Sequence, residues 1–277
     1  MTRLALLLLL SLPATAANTL RCVGSEFPYI LSLRDGKPVG VAVDLLAELE
    51  SRADFRCRIE LLPWKRAQAL VAEGQADLLI GPYWNLERDR QMRFVGLPFY
   101  VDQMVLYRRH DRSGLEWQGD YQRLAGRTIG VTRGWSFGNH FDQIRQRLQL
   151  DEADTLEQTL RKLVSGRVDL AASNRRNAEV LIEQFGWNGR LVLLEPPLQQ
   201  VGGYFAFSSN WAGTPLFTRF EAAQRELVQN GRVQAISRRY PVDFPGPRFD
   251  WETYLRLERS ELTGPGKAPS AEASQPR

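Results

Sequence analysis

The sequence is poor in residues that bind metal ions. It contains two cysteines, Cys22 and Cys57, and two histidines, His110 and His140. Neither histidine has a partner at the i, i+4 spacing of a helical zinc site, and no Cys-x-x-Cys pair is present. We therefore expect neither a metal site nor a bound cofactor.

Long apolar runs are also scarce. After residue 17 no apolar run approaches the roughly 18 residues that indicate a membrane span. Residues 1–17 have the pattern of a secretory signal peptide, with Arg3 as the positive region, residues 4–12 as the apolar stretch and residues 14–16 as the cleavage site. No cysteine stands there to take a lipid. We expect cleavage near Ala17 and a soluble, exported product.

The chain has no excess of one charge. Its 36 Lys and Arg residues against 32 Asp and Glu give a formal net charge of +4. The positive residues are 32 Arg and 4 Lys, scattered along the sequence without a basic tract. Nucleic-acid binding is therefore not indicated.

The length predicts two lobes. Residues 263–277 lack aromatic and branched apolar side chains, a composition typical of a disordered tail. The 245 residues between signal and tail exceed the usual size of one hydrophobic core. Two lobes of roughly 100–150 residues each are expected.

One helix-to-strand pattern occurs twice. Residues 65–80 contain a helical segment, Gly74, Asp77 and a short apolar run, and residues 155–172 repeat this order with Gly166 and Asp169. A glycine that ends a helix before a buried strand is typical of one half of a parallel crossover.

Strand and helix patterns alternate along the chain. Predicted strands cover residues 20–24, 57–62, 78–80, 127–132, 170–172 and 190–194, and predicted helices cover 43–53, 155–164, 178–185 and 215–228. Such alternation predicts an α/β fold with parallel sheets covered on both faces.

Ligands of such folds bind beyond the carboxyl ends of the strands. Aromatic and cationic residues are common in the segments that follow the predicted strands. These segments are residues 25–29, 63–66, 81–88, 134–136 and 173–176.

Four ordered segments carry a resemblance to a known family. They are FPYILSLRDGKPVGVAVDLLAEL, GQADLLIGPYWNLERDRQMRFVGLPFY, LAGRTIGVTRGWSFG and SGRVDLAAS. The order resembles the family 3 extracellular solute-binding proteins, the periplasmic amino-acid-binding type of the ABC importers. The likeness covers nearly all of residues 20–240.

The resemblance implies two Rossmann-like lobes joined by a two-segment hinge, the type II arrangement of periplasmic binding proteins. One lobe would comprise residues 18–107 and 205–262, the other residues 108–204. The crossing segments would lie near residues 105–110 and 201–207, and closure would enclose a ligand between the lobes.

The resemblance also implies residues for a ligand carboxylate. Arg88 falls at the family's carboxylate-binding arginine, and a guanidinium suits that task because it can bind both carboxylate oxygens. The alternative is a surface arginine paired with Glu87 or Asp89. Ser136 matches a small hydroxyl residue that caps a helix and would hold the same carboxylate. Its alternative is a helix cap without a ligand.

Three positions depart from the family pattern. Asn174 stands where amino-acid binders place an Asp for the ligand's ammonium group, and Tyr83 replaces a small hydroxyl residue. Glu26 stands at the position of a stacking aromatic and could accept a cationic ligand group, although an exposed Glu is the commoner case. These departures weaken the prediction of an ordinary α-amino acid ligand.

Aromatic residues after the strands predict a cleft suited to a flat, apolar or cationic ligand part. Tyr83 and Trp135 are the preferred lining residues. Trp64 and Trp84 are each equally compatible with the lining and with the core. Four further tryptophans are assigned to packing: Trp117, Trp187, Trp211 and Trp251.

The cysteines are predicted to form a disulfide bond. An even count in an oxidising compartment favours a bond over two free thiols, and the implied fold places the strands of Cys22 and Cys57 side by side. The alternative is a pair of buried thiols.

Three functions remain open from the sequence. The first is a monomeric binding protein that delivers a small carboxylate-bearing solute to an ABC permease. The second is an enzyme of the same fold, similar to cyclohexadienyl or arogenate dehydratases, which would need an acid in the cleft. The third is a ligand sensor without a transporter.

Overall fold

A computed structural model describes residues 18–112, 114 and 117–260. The predicted signal peptide, its cleavage site near Ala17 and the predicted tail at residues 263–277 lie outside the described residues. No described helix has the length and apolar character needed to cross a membrane.

Strands and helices alternate through most of the described chain. The strands are β1 (Asn18–Gly24), β2 (Ser32–Arg34), β3 (Lys37–Val39), β4 (Phe55–Leu61), β5 (Leu78–Tyr83), β6 (Met92–Phe94), β7 (Tyr100–Arg109), β8 (Thr128–Thr132), β9 (Gln149–Ala153), β10 (Leu170–Asn174) and β11 (Leu191–Ser208). The helices are α1 (Val41–Ala53), α2 (Trp64–Ala72), α3 (Leu86–Gln91), α4 (Asn139–Ile144), α5 (Leu156–Val164), α6 (Arg175–Gln184), α7 (Pro215–Gln229), α8 (Arg232–Ser237) and α9 (Trp251–Ser260).

Nine of the described strands form one mixed sheet in the order β4-β1-β5-β11-β7-β10-β8-β9, with β6 paired to β11. The first strand set, β4, β1 and β5, is parallel, and so is the second strand set, β10, β8 and β9. The long strands β7 and β11 run antiparallel between them. The α/β prediction is confirmed, and the two predicted crossing segments lie within β7 and β11.

The repeated helix-to-strand pattern is confirmed and has a structural cause. Gly74 and Gly166 adopt φ values of +72° and +76°, which non-glycine residues rarely adopt. The two aspartates then join neighbouring strands in the same way. Asp77 Oδ2 accepts from Arg21 N–H at 2.7 Å, and Asp169 Oδ2 accepts from Thr128 N–H at 2.9 Å. In each repeat the Asp N–H returns a bond to the carbonyl of the same residue.

The disulfide prediction is confirmed. Cys22 on β1 and Cys57 on β4 are bonded, with a Cα–Cα distance of 5.7 Å. The strands are paired in parallel, with Leu20 opposite Cys57 and Cys22 opposite Ile59. The bond therefore joins positions two residues apart in register, and it fixes the edge strand β4 to the sheet.

The last described helix, α9, was not predicted. Its Glu258 is buried and accepts bonds from Gly202 N–H of β11 at 2.8 Å, from Tyr254 Oη at 3.2 Å and from Tyr204 Oη. The Glu258 carbonyl accepts from Asn139 Nδ2 on α4. Helix α9 thus contacts β11 and also α4, which follows strand β8 of the second strand set.

Candidate functional site

A small cavity, of about 10 Å³, lies where the carboxyl ends of the two strand sets meet. It is lined by residues that follow or end strands of both sets. The lining residues are Phe27, Trp64, Gly81, Tyr83, Arg88, Tyr100, Trp135, Ser136 and Asn174. Six of the seven predicted ligand residues are therefore brought together, and the role of each in ligand binding stays a prediction.

Arg88 is 7% exposed and lies on α3, which begins after Asn85. Its Nη1 donates to the carbonyl of Tyr83 at 2.8 Å and its Nη2 to the carbonyl of Gly134 at 2.9 Å. The Gln68 amide oxygen, turned toward the guanidinium, accepts from Nε and Nη2 at 2.9 Å each. Burial lowers the pKa of Arg88. Among the described residues, no carboxylate lies within ion-pair distance of this guanidinium, so the expected alternative pairing with Glu87 or Asp89 is wrong.

Ser136 does not cap a helix, and this part of the prediction is wrong. Helix α4 begins after Gly138, which provides no side-chain cap. The Ser136 hydroxyl instead donates to Asp142 Oδ2, while Phe137 N–H donates to Asp142 Oδ1 at 3.2 Å. The carboxylate in the first turn of α4 is favoured by the positive end of the helix dipole. Burial raises the pKa of Asp142.

Tyr83 and Asn174 belong to one buried hydrogen-bond network. Asn174 caps α6, since its Oδ1 accepts from Asn177 N–H at 2.9 Å. Its Nδ2 donates to Tyr83 Oη at 3.1 Å, and that hydroxyl donates to Asp102 Oδ2 at 2.7 Å. Burial raises the pKa of Tyr83 well above its usual value.

Arg176 completes this network from α6. Its Nε and Nη2 donate to the two oxygens of Asp102 at 3.0 and 2.6 Å, and its Nη1 donates to the carbonyl of Pro28. The guanidinium also lies 5.5 Å from the centre of the Tyr100 ring. Burial opposes the charge of Arg176, but the Asp102 carboxylate more than offsets this and raises its pKa.

Aromatic rings cover the opening of the cavity. Phe27 packs edge to face with Trp64 at 5.3 Å and with Trp135 at 6.2 Å. Trp64 and Trp135, which are both half-buried, follow strands of different sets, so Phe27 joins the two sides. Trp84 is buried in the core instead.

Glu26 is the predicted site residue that does not line the cavity. Its side chain is exposed, and the next residue, Phe27, contributes to the lining instead. The sequence also did not identify Tyr100, Asp102 or the pairing of Arg176. Arg176 lies in a segment that follows a predicted strand, so the sequence held a signal for it. Tyr100 and Asp102 lie on β7, which was not predicted, so no signal pointed to them.

The histidines do not form a metal centre. Within the described ranges, no group of three or more His, Cys, Asp or Glu side chains could hold a metal ion. His140 stacks against Tyr121 with a ring separation of 4.3 Å.

The sequence matches the family model of bacterial extracellular solute-binding proteins, family 3, over residues 22–243. The chain belongs to this family. No curated protein matches this family 3 protein by sequence.

Solved structures share its fold at low sequence identity. A histidine kinase sensor domain with similarity to periplasmic binding proteins is 21% identical, covers 83% of this chain and 99% of its own, and gives a TM-score of 0.71. An ancestral arginine-binding protein bound to arginine is 18% identical, with coverages of 82% and 99% and a TM-score of 0.66. The arginine-, lysine-, histidine-binding protein ArtJ from Geobacillus stearothermophilus is 19% identical, with coverages of 81% and 95% and a TM-score of 0.65. The fold is that of type II periplasmic binding proteins.

Proposed function

We propose that this family 3 protein captures a small carboxylate-bearing solute, an amino acid or a related compound, in the cavity beside Arg88. One observation carries the proposal: a buried guanidinium whose bonds all go to neutral oxygens. A buried charge without a counter-charge is costly. A ligand carboxylate would supply that counter-charge through two charge-assisted hydrogen bonds.

Capture would proceed by closure of two lobes, residues 18–107 with 205–262 and residues 108–204. Contacts across the cleft support this movement. Arg88 of the first lobe donates to Gly134 of the second, and Arg176 of the second donates to Pro28 of the first. Such bonds are lost when the lobes separate, so a ligand that binds both lobes favours the closed form.

The family and the arginine-binding neighbours support a role in uptake. The protein would be exported by its signal peptide, act in the periplasm and deliver its solute to an ABC permease. The lining carries no carboxylate, histidine or cysteine among its described residues, which favours binding over acid–base catalysis.

A ligand sensor is the second candidate. The similarity to a histidine kinase sensor domain favours it, because that fold neighbour works in signalling. Both candidates need the same ligand site. Capture of the cognate permease in membranes by the ligand-bound protein supports uptake, whereas capture of a kinase supports sensing.

The test compares Arg88→Gln with Arg90→Gln. Both substitutions remove one positive charge from α3, but the Arg90 side chain is exposed. The mature protein, unfolded and refolded to remove carried ligand, is titrated calorimetrically with amino acids, organic acids and aromatic acids. At a ligand concentration of 100 times Kd, binding adds about 2.7 kcal/mol to the free energy of unfolding. Thermal unfolding then shows binding as a rise in Tm of roughly 5–10 °C.

We expect Arg88→Gln to weaken carboxylate binding at least roughly a hundredfold, because it removes the ligand's charged partner. Arg90→Gln should bind as the unmodified protein does. Equal affinity in both variants would contradict the proposal.

A further inference from the structure

The lining of the cavity carries a positive charge. Arg88 is the one ionised side chain among the described lining residues. Two carboxylates lie just behind the lining, and both already hold donors. Asp102 accepts from Arg176 and Tyr83, and Asp142 accepts from Ser136 and the Phe137 N–H. A ligand in the cavity therefore meets a positive charge and no available negative one.

The hydrogen-bonding groups of Asn174 are already engaged within the protein. The Asn174 side chain carries a carbonyl oxygen, but that oxygen accepts from Asn177 N–H at the start of α6. Its remaining group is the amide NH₂, which donates to Tyr83 Oη. The N–H groups of a bound ammonium need acceptors. Since one lone pair of the Asn174 oxygen is already used and its other group only donates, Asn174 offers an ammonium fewer acceptors than an aspartate would.

The aromatic part of the lining fits an apolar ligand body better than a cationic one. Phe27, Trp64 and Trp135 form a ring cluster over the cavity. The Arg88 guanidinium already lies 5.8 Å from the centre of the Trp64 ring. A second cation at these rings would be repelled by Arg88 at short range. A flat apolar group would instead gain contact area without that repulsion.

We infer that the cavity takes a small carboxylate with a flat or apolar body and no α-ammonium group, such as a 2-hydroxy or aryl-substituted acid. This inference rests on the proposed function and narrows it. Arg88 binds the carboxylate, the ring cluster contacts the body, and Asn174 determines specificity by donating to an oxygen at the α-position.

The experiment uses probe acids that differ only at the α-position. The refolded full chain is titrated calorimetrically with 3-phenyllactate, phenylalanine and phenylalanine betaine, and with 2-hydroxyisocaproate and leucine. We expect the hydroxy acid of at least one set to bind roughly ten- to a hundredfold more tightly than its amino acid, because the ammonium lacks acceptors. Arg88→Gln should abolish the binding of that hydroxy acid.

Asn174→Asp provides the matched specificity variant. Aspartate is as good a helix cap as asparagine, so α6 should remain folded, and an unchanged circular dichroism spectrum checks this. The introduced carboxylate offers acceptors to the ammonium group of an amino acid. It repels the oxygen that a hydroxy acid carries at its α-position. The ratio of hydroxy acid to amino acid affinity should therefore fall at least roughly tenfold.

The outcomes separate the inference from the proposed function. If an amino acid or the betaine binds as tightly as its hydroxy partner, and Arg88→Gln weakens that binding, the inference is wrong and the proposed function stands. If neither these probes nor the acids of the first titration bind, the proposed function fails and the inference with it. An unchanged ratio in folded Asn174→Asp overturns the role of Asn174.

Discussion

Two arginines of the cleft, Arg88 and Arg176, differ in their charge partners although their positions are alike. Arg88 is buried and the Arg176 side chain is 9% exposed, each follows a strand at the cavity, and each donates to a carbonyl across the cleft, at Gly134 and Pro28 respectively. Arg176 is neutralised by both oxygens of Asp102, and their side chains are 9% and 4% exposed. Arg88 contacts only neutral oxygens.

Because Arg88 and Arg176 differ in their charge partners, burial alone does not assign a role to a cleft arginine. Arg176 has a permanent counter-charge in Asp102, so its guanidinium is already paired within the fold. Arg88 has a lowered pKa because burial is not balanced by a contacting carboxylate. The guanidinium that still lacks a counter-charge is the one available to a ligand.

The largest effect that follows from this comparison concerns Arg176→Met. Removing this guanidinium leaves Asp102 buried without its counter-charge, which typically costs about 3–5 kcal/mol. For a chain of this size we expect Tm to fall by roughly 6–20 °C. Thermal unfolding followed by circular dichroism measures the loss.

The double variant Arg176→Met with Asp102→Asn is the control. The Asn oxygen can still accept from Tyr83 Oη, while no buried charge remains. Most of the lost stability should return, because replacing both partners of a buried pair is often close to neutral. A double variant as unstable as the single one would show that the loss comes from packing rather than charge.

Arg88→Met should change stability by much less, within about 1 kcal/mol. The substitution removes hydrogen bonds to Tyr83, Gly134 and Gln68, but it also removes a buried charge. Gly134 and Gln68 are half-buried, so water can replace the guanidinium there. Thermal unfolding beside Arg176→Met tests the comparison directly. A loss as large as that of Arg176→Met would make Arg88 a structural residue and break the distinction.

The sequence allowed the cavity to be predicted because strand ends are a local signal. A short apolar run followed by aromatic and cationic residues identified Trp64, Tyr83 and Arg88 without any knowledge of contacts. The segment after the first strand, residues 25–29, contains Phe27, but the position of the family's stacking aromatic singled out Glu26, one residue earlier. Ser136 was mistaken for a helix cap because the family resemblance placed a capping hydroxyl there, whereas α4 begins at Asn139, after Gly138.

Contacts between distant segments could not be predicted from local patterns. Asp102 and Arg176 are 74 positions apart, and neither shows by itself that the other is its partner. Strand β11 was predicted only up to residue 194, because Pro196 and Pro197 disfavour a regular strand. The pairing with β7 continues beyond them through a register shift between Leu194 and Gln199. The prolines thus interrupt the pairing locally, and β11 pairs with β7 again from Gln199 onward.

The smallest predicted effect concerns Asp142, the carboxylate that balances part of the Arg88 charge without contacting it. Burial raises the pKa of Asp142, so the folded protein holds this proton more tightly than the unfolded chain. The stability gained from it is complete below the usual Asp pKa and is lost as pH rises through the raised pKa. Asn at this position does not titrate. The free energy of unfolding of Asp142→Asn should therefore rise relative to the unmodified protein between acidic and neutral pH. Chemical denaturation across that pH range measures the difference, and the shared titration of Glu258, whose pKa is also raised by burial, cancels in it.

Repeating the measurement with Arg88→Met should enlarge the difference, because the guanidinium lowers the pKa of Asp142. A difference that stays the same without Arg88 would mean that the two groups do not interact, and that Arg88 is even less balanced in charge than the comparison with Arg176 implies.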